Sequence, residues 1–382
     1  MALSSFGQTY YIAVSGSYFR GAFSLSDGGL GATYAAGTFL SALTLTLAGR
    51  LIDYTTVRRF TWAVALLLAV ACILVAISAN FLMLAVAFYF LRLSGQGLMT
   101  HTALTTTARA FPEDAGKALG VIALGFSVAQ GLFPIAGVTM MEQLGWRTAW
   151  LANAVLVIAG AAVALLFLPR IGDKAIRGGN DKADDGSASS RPLWRDPRLL
   201  FTLPAVLASP FIVTGFFFHQ ARLAEQKGWD ISIVAASFAA FAIVQAVASV
   251  VIGPVIDKTG PKRLLPVFLL PIALGMLLLG LIGVPWIAPV YMVLMATSMA
   301  FGSTLATALW VDLFGTRDLA RVRSVVEACV VISSGASPII MGLLIDAGIA
   351  LSWQALGCCV YTLVASVIAL RVRRKAEPTF VQ

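Results

Sequence analysis

One arginine stands where arginines are costly. Arg92 falls inside an apolar stretch that begins near Phe81. If that stretch is a helix crossing a bilayer, Arg92 is about 16 Å deep at 1.5 Å per residue, close to the midplane. A bare arginine there costs at least roughly 2.5–3.5 kcal/mol. The chain offers it no obvious counter-ion. Asp53, Asp257, Asp312 and Glu327 lie at one set of span ends; Asp27, Glu142, Glu225 and Asp346 lie at the opposite set. A buried guanidinium without a carboxylate reads as a site for an anion, held by two parallel N–H donors. The other reading is a structural arginine bonded to backbone carbonyls of a neighbouring helix near Gly95 and Gly97. Gln8, Tyr11 and Arg20 in the first apolar span, and Gln96 in the fourth, are the polar residues that could share a site with Arg92. His101 and His219 fall at opposite ends of their spans. Each is a candidate gate or proton relay, or an ordinary hydrogen-bonded polar residue.

A second constellation occurs twice, 204 residues apart. Gly49-Arg50-Leu51-Ile52-Asp53 ends in Arg58-Arg59, and Gly253-Pro254-Val255-Ile256-Asp257 ends in Lys262-Arg263. The same offset carries Asp114 onto Asp318, Lys117 onto Arg321, and Gly131-x-x-Pro134-Ile135 onto Gly335-x-x-Pro338-Ile339. A gap-free register of this length marks a duplicated unit. Asp53 and Asp257 suit carboxylate latches, each approaching a helix N-terminus of the opposite half (near Ser324 and Lys117). Free N–H groups and partial positive charge favour an anion there. Arg58, Arg59, Lys262, Arg263, Arg109 and Arg321 are the cations that could complete such gates.

The elements that position these residues are membrane spans. Apolar residues make up 59% of the 382 and charged residues 12%, far below the usual charged share of a soluble domain. Twelve apolar segments long enough to cross a bilayer are predicted: 6–24, 30–49, 61–79, 81–105, 117–140, 148–168, 200–222, 231–252, 264–284, 286–309, 324–345 and 350–371. Runs such as Val64 to Ile77 do not alternate, which excludes a β-barrel. The polar stretch 169–199 reads as a linker. It separates an N-terminal half, 1–168, from a C-terminal half, 200–382, and the signature follows the second span of each.

The net charge of +9 would suit nucleic acid, but its placement does not. Cation clusters at 50–60, 106–117, 169–199, 257–263, 312–323 and 371–375 fall on one side of the spans. Arg20, Arg147, Arg222 and Lys227 fall on the other. The positive-inside rule then puts both termini in the cytoplasm, and no nucleic-acid partner is expected. Cys72, Cys329, Cys358 and Cys359 lie in apolar spans without metal-ligand spacing. The first apolar segment lacks the basic start and A-x-A site of a cleavable signal. The absence of Asn-x-Ser/Thr sequons fits a bacterial inner membrane. Without a P-loop or a convergent catalytic constellation, neither an enzyme nor a cofactor is expected.

The Gly-x-x-x-Asp-x-x-x-x-Arg-Arg loop, the six-plus-six spans and the charged linker resemble the major facilitator superfamily over essentially the whole chain. The second loop matches well through Gly253, Asp257, Lys258, Gly260, Lys262 and Arg263; in the first, Tyr54 and Thr56 replace the usual cation and glycine. Arg109-Ala110-Phe111-Pro112, Gly116-Lys117-Ala118-Leu119-Gly120 and Gly145-Trp146-Arg147 resemble the oxalate/formate and monocarboxylate porter branch. The resemblance implies an all-α membrane protein with two pseudo-symmetric six-helix halves and a central cavity lined by spans 1, 4, 7 and 10. It also implies secondary transport by alternating access, with no cofactor. A small organic anion is the expected substrate, with protons or a counter-anion as candidate coupling partners. Efflux of an amphipathic or neutral molecule is the alternative. The lipid bilayer is the standing partner, and a monomer is expected.

Overall fold

The computed structural model describes residues 1–111, 113–167, 196–315 and 318–374, without the side chains of residues 50, 53, 115, 116, 167, 320, 373 and 374. Apart from 196–199, the linker predicted at 169–199 lies outside the described residues. Every regular element among the described residues is helical.

The spans are α1 (2–23), α2 (Asp27–Ala48), α3 (Val57–Ile77), α4 (Phe81–Ala110), α5 (Ala115–Leu144) and α6 (Trp146–Phe167). The second half supplies α7 (Pro197–Phe218, with a short extension Gln220–Lys227), α8 (Ile231–Thr259), α9 (261–281), α10 (Ile287–Phe314), α11 (Leu319–Asp346) and α12 (Leu351–Arg374). Ten of these are long and apolar enough to cross a membrane as single helices. The other two are broken: α1 into alternating 3-10 and α-helical pieces, α9 by a turn between Leu264 and Leu270. The architecture is the twelve-helix arrangement of the predicted fold class.

Local chemistry starts and stops these helices. Ser26, Thr56 and Asn80 accept from backbone N–H groups three residues on, capping α2, α3 and α4, which satisfies donors that a helix start leaves orphaned. Gly145 ends α5 and Gly228 ends the α7 extension at positive φ, where a side chain would be strained.

The chain forms two compact units. One holds the described residues of Met1–Lys182 with Phe217–Ala239 and Pro338–Ala347; the other holds the rest. The first unit therefore combines α1–α6 with the ends of α7, α8 and α11. Those ends meet the turns at 24–26 and Gly145 on one face, here called distal. A core of Val14, Val138, Met141, Ala149 and Ala235 lies beneath it, covered by Trp146 and Ile231. Arg147 belongs to this face. It donates to the Ala76 carbonyl at the end of α3 and lies 4.4 Å from the Trp146 ring. That gives the Gly145-Trp146-Arg147 motif a structural task.

Candidate functional site

Arg92 opens a π-helical segment, Arg92–Met99, in the middle of α4. Such segments are rare and cluster at functional sites. The reason here is close packing: α1 lies backbone to backbone on the segment. A Cβ on Gly95 would come within 2.7 Å of the Gly7 Cα, and a Cβ on Gly7 would strike the Leu91 carbonyl oxygen.

The Arg92 side chain is 7% exposed. Its Nη1 donates to the Gly7 carbonyl and to Thr9 Oγ1, each at 3.3 Å. The guanidinium carbon lies 5.3 Å from the centre of the Tyr34 ring, a cation–π distance. The Tyr34 hydroxyl shares a 2.6 Å hydrogen bond with Thr9. Arg92 Nε has no partner, and among the described residues no carboxylate lies within ion-pair distance of Arg92. A guanidinium has five donors; both protein hydrogen bonds come from one nitrogen.

The other residues predicted to line a substrate site are spread out. Gln96 is exposed on the same π-helical segment, and Gln8 is half-buried one residue from Gly7. Tyr11 points elsewhere: its hydroxyl donates to Asn153 Oδ1 at 2.9 Å, and its ring packs edge-on against Phe6 and Trp150. Thr9 and Tyr34 complete the Arg92 environment, and spacing alone gave no reason to single out Tyr34.

Arg20 sits on the distal face in a network that sequence spacing does not reveal. Its Nη2 donates to both oxygens of Glu225, at 2.6 and 2.8 Å, and its Nη1 lies 3.1 Å from Asp27 Oδ1. Arg222 Nε lies 3.1 Å from Asp27 Oδ2, and Arg222 Nη1 is 3.0 Å from Glu225. The Asp346 carboxylate, at the end of α11, accepts the backbone N–H groups of Asp27 and Gly28, at 3.0 and 2.9 Å. It thereby caps the N-terminus of α2 from another helix. His219 is buried beside this cluster with its Nε2 2.9 Å from the Pro338 carbonyl oxygen.

The signature residues lie at the other end of the spans. The first copy is a short 3-10 turn, Gly49–Asp53, closing α2; the Asp53 side chain lies outside the described residues. Arg58 and Arg59 are exposed at the start of α3. The second copy is the helical end of α8. Asp257 is exposed there; at the start of α9, Arg263 is exposed and Lys262 pairs with Asp312 at 3.3 Å. His101 Nε2 would lie 3.6 Å from a Cβ on Gly49. Arg109 and Arg321, the proposed gate cations, both make interactions in the structure.

The sequence profile of the Major Facilitator Superfamily matches residues 1–233 and 216–381. The chain belongs to that superfamily and is a membrane transporter working by alternating access. Its fold is similar to that of a bacterial homologue of the human lysosomal transporter Spinster, solved in an inward-facing, occupied conformation. The TM-score is 0.73 at 16% identity, over 98% of this chain and 96% of that one. The unoccupied inward-facing form of the homologue gives a TM-score of 0.72, also at 16% identity, over 98% and 95% of the two chains. No curated protein matches the chain in sequence.

Proposed function

We propose that the protein is a secondary transporter of a small organic anion, of the carboxylate type carried by the oxalate/formate and monocarboxylate porter branch. One observation carries this reading: Arg92 is buried, and no carboxylate of the described residues pairs with it. A charge withdrawn from water needs a counter-charge or dense hydrogen bonding. Two 3.3 Å bonds from one nitrogen and an aromatic face meet that need in part. A substrate carboxylate would supply the rest through the donors left over. Gln96 and Gln8 are the further substrate contacts this reading names, and Arg20 stands at the entrance. The competing reading, efflux of an amphipathic or neutral solute, draws on the same geometry. Gly7, Thr9 and Tyr34 would then make Arg92 a structural tie between α1 and α4.

The positive-inside bias supports a bacterial inner-membrane protein with cytoplasmic termini and an external distal face. Asp53 and Asp257 then stand on the cytoplasmic side, as latches for the state closed there.

Uptake into proteoliposomes and thermal shift, run over a panel of mono- and dicarboxylates, test the reading. A ligand that binds the folded state at a hundred times its Kd stabilises it by about 2.7 kcal/mol, so the right carboxylate raises Tm. Arg92→Ala abolishes that rise, and Arg92→Lys impairs it, because an ammonium cannot make a planar two-point contact. Asp53→Asn and Asp257→Asn slow uptake while leaving the thermal shift in place. Normal carboxylate uptake by Arg92→Ala, or a cation as the best ligand, removes the anion reading.

A further inference from the structure

We infer that Asp27 and His219 form a proton-binding site, holding one proton between them while the distal face is closed. This rests on alternating access alone and not on the anionic substrate.

His219 is 2% exposed and Asp27 is 4% exposed. His219 Nε2 faces the Pro338 carbonyl at 2.9 Å. A carbonyl only accepts, so Nε2 carries the ring hydrogen of the neutral form. The nitrogen left to titrate is Nδ1, which lies 3.9 Å from Asp27 Oδ1. That oxygen has Arg20 at ion-pair distance but makes no hydrogen bond. A titratable nitrogen and a carboxylate oxygen with a vacant lone pair thus face each other in a buried setting.

The surrounding charges fix the sign. Four segments pack around the pair: α1 presents Arg20, the α7 extension presents Arg222 and Glu225, α11 presents Asp346, and α2 carries Asp27 itself. Against the His219 ring stands the apolar edge of Phe218, at 5.1 Å. Three carboxylates meet two guanidiniums, which leaves negative charge in excess. The N-terminus of α2 offsets part of the Asp346 charge. Glu225 and Asp346 keep contact with water, but Asp27 does not; any share of its charge left unneutralised is costly to bury, and one proton on the pair cancels it. Opening the face separates 219–227 and Asp346 from 20–27, returns Asp27 and His219 to water and removes that demand. Closure therefore takes up a proton. By linkage the ratio of closed to open forms rises as pH falls, by up to about tenfold per pH unit in the window between the pair's two affinities.

Spin labels at Ser24→Cys and Ala347→Cys, both exposed on the distal face, report its opening. They are introduced into the full chain with the four native cysteines replaced, and the distance distribution is measured in nanodiscs from pH 5.5 to 8.5. The parent is expected to lose its short-distance population as pH rises. His219→Gln keeps a donor for the Pro338 carbonyl but cannot titrate; Asp27→Asn removes the carboxylate. Each flattens the response, whereas Glu142→Gln, on the same face but outside the cluster, preserves it. A parent distribution that does not change with pH overturns the proposal. So does a pH response that persists in both His219→Gln and Asp27→Asn.

Discussion

Two helix crossings on the distal face occupy equivalent places in the 204-residue repeat, yet they are built differently. Where α2 meets α11, backbone touches backbone. A Cβ on Gly342 would lie 2.5 Å from the Asp27 carbonyl oxygen, one on Gly28 would lie 2.7 Å from Asp346 Oδ2, and one on Gly31 would strike the Pro338 carbonyl. Where α8 meets α5, the corresponding positions are Ser232, Ala235 and Val138, and Ala235 packs with Val138 and Met141 as side chains. The charges differ as well. Asp346 reaches across to cap α2. Its counterpart Glu142 is exposed, and the start of α8 is capped by its own Asp230, which accepts from Ser232 at 2.8 Å. Duplication therefore fixes where helices cross, while side-chain volume and one carboxylate decide how firmly. The α2–α11 crossing has the character of a clasp, and the α5–α8 crossing that of a greased contact able to slide.

The largest effect should come from adding volume to the clasp. Gly31→Leu cannot be accommodated without parting α2 from Pro338, because the obstacle is backbone rather than a mobile side chain. Overpacking of this kind costs about 3 kcal/mol, which shifts a two-state equilibrium on the order of 100-fold. The labelled pair at 24 and 347 should report a distal face that stays open. Ala235→Leu on the other crossing meets side chains that can move, and its shift should be several-fold smaller. Equal responses from the two variants would erase the distinction between clasp and contact.

A smaller effect is expected from charge. Asp346→Asn keeps an acceptor for one of the two N–H groups but loses the carboxylate at the helix terminus. Charge-assisted bonds contribute about 1.5–3 kcal/mol, so closure should weaken by roughly tenfold. Amide exchange at Asp27 and Gly28 should rise with it. Exchange left unchanged at those two amides would mean that water substitutes for Asp346 without loss.

What sequence could reveal about these regions follows from what each feature depends on. Span lengths depend on local hydropathy, so all twelve were legible. The breaks in α1 and α9 were not. The pieces of α1 follow from Gly7 pressing on Gly95, a tertiary contact that periodicity does not encode. The π-helical turn at Arg92 was hidden for the same reason. The isolation of Arg92 from carboxylates could be read by enumerating charges; its neighbours Thr9 and Tyr34 depend on how α1 and α2 are rotated. The distal cluster was the most obscured. Arg20 and Glu225 lie 205 residues apart, and no spacing rule pairs them. Two signals did exist. Arg20, Asp27, Arg222, Glu225 and Asp346 crowd the span ends of one side, and the repeat maps Ser26, the α2 cap, onto Asp230 and Asp346 onto Glu142.

The smallest effect separates a cap that belongs to its own helix from one supplied by another. Asp230 serves only α8, and its bonds to Ser232 hold its carboxyl below the usual carboxylate range. A depressed pKa means that the cap is fully present above the unfolded value and is lost only as pH falls through the lower, folded one. Across the neutral and mildly acidic range the start of α8 should therefore keep constant protection. Asp230→Ala should raise amide exchange over residues 231–234 a few-fold, since an N-cap acts on the first turn and little beyond it. The distance between labels at 24 and 347 should not move. Asp346→Asn, by contrast, should alter both the exchange at α2 and the label distance, because that carboxylate joins two helices. If Asp230→Ala opened the distal face as Asp346→Asn does, the two caps would be mechanically equivalent and the asymmetry between the crossings would rest on glycine packing alone.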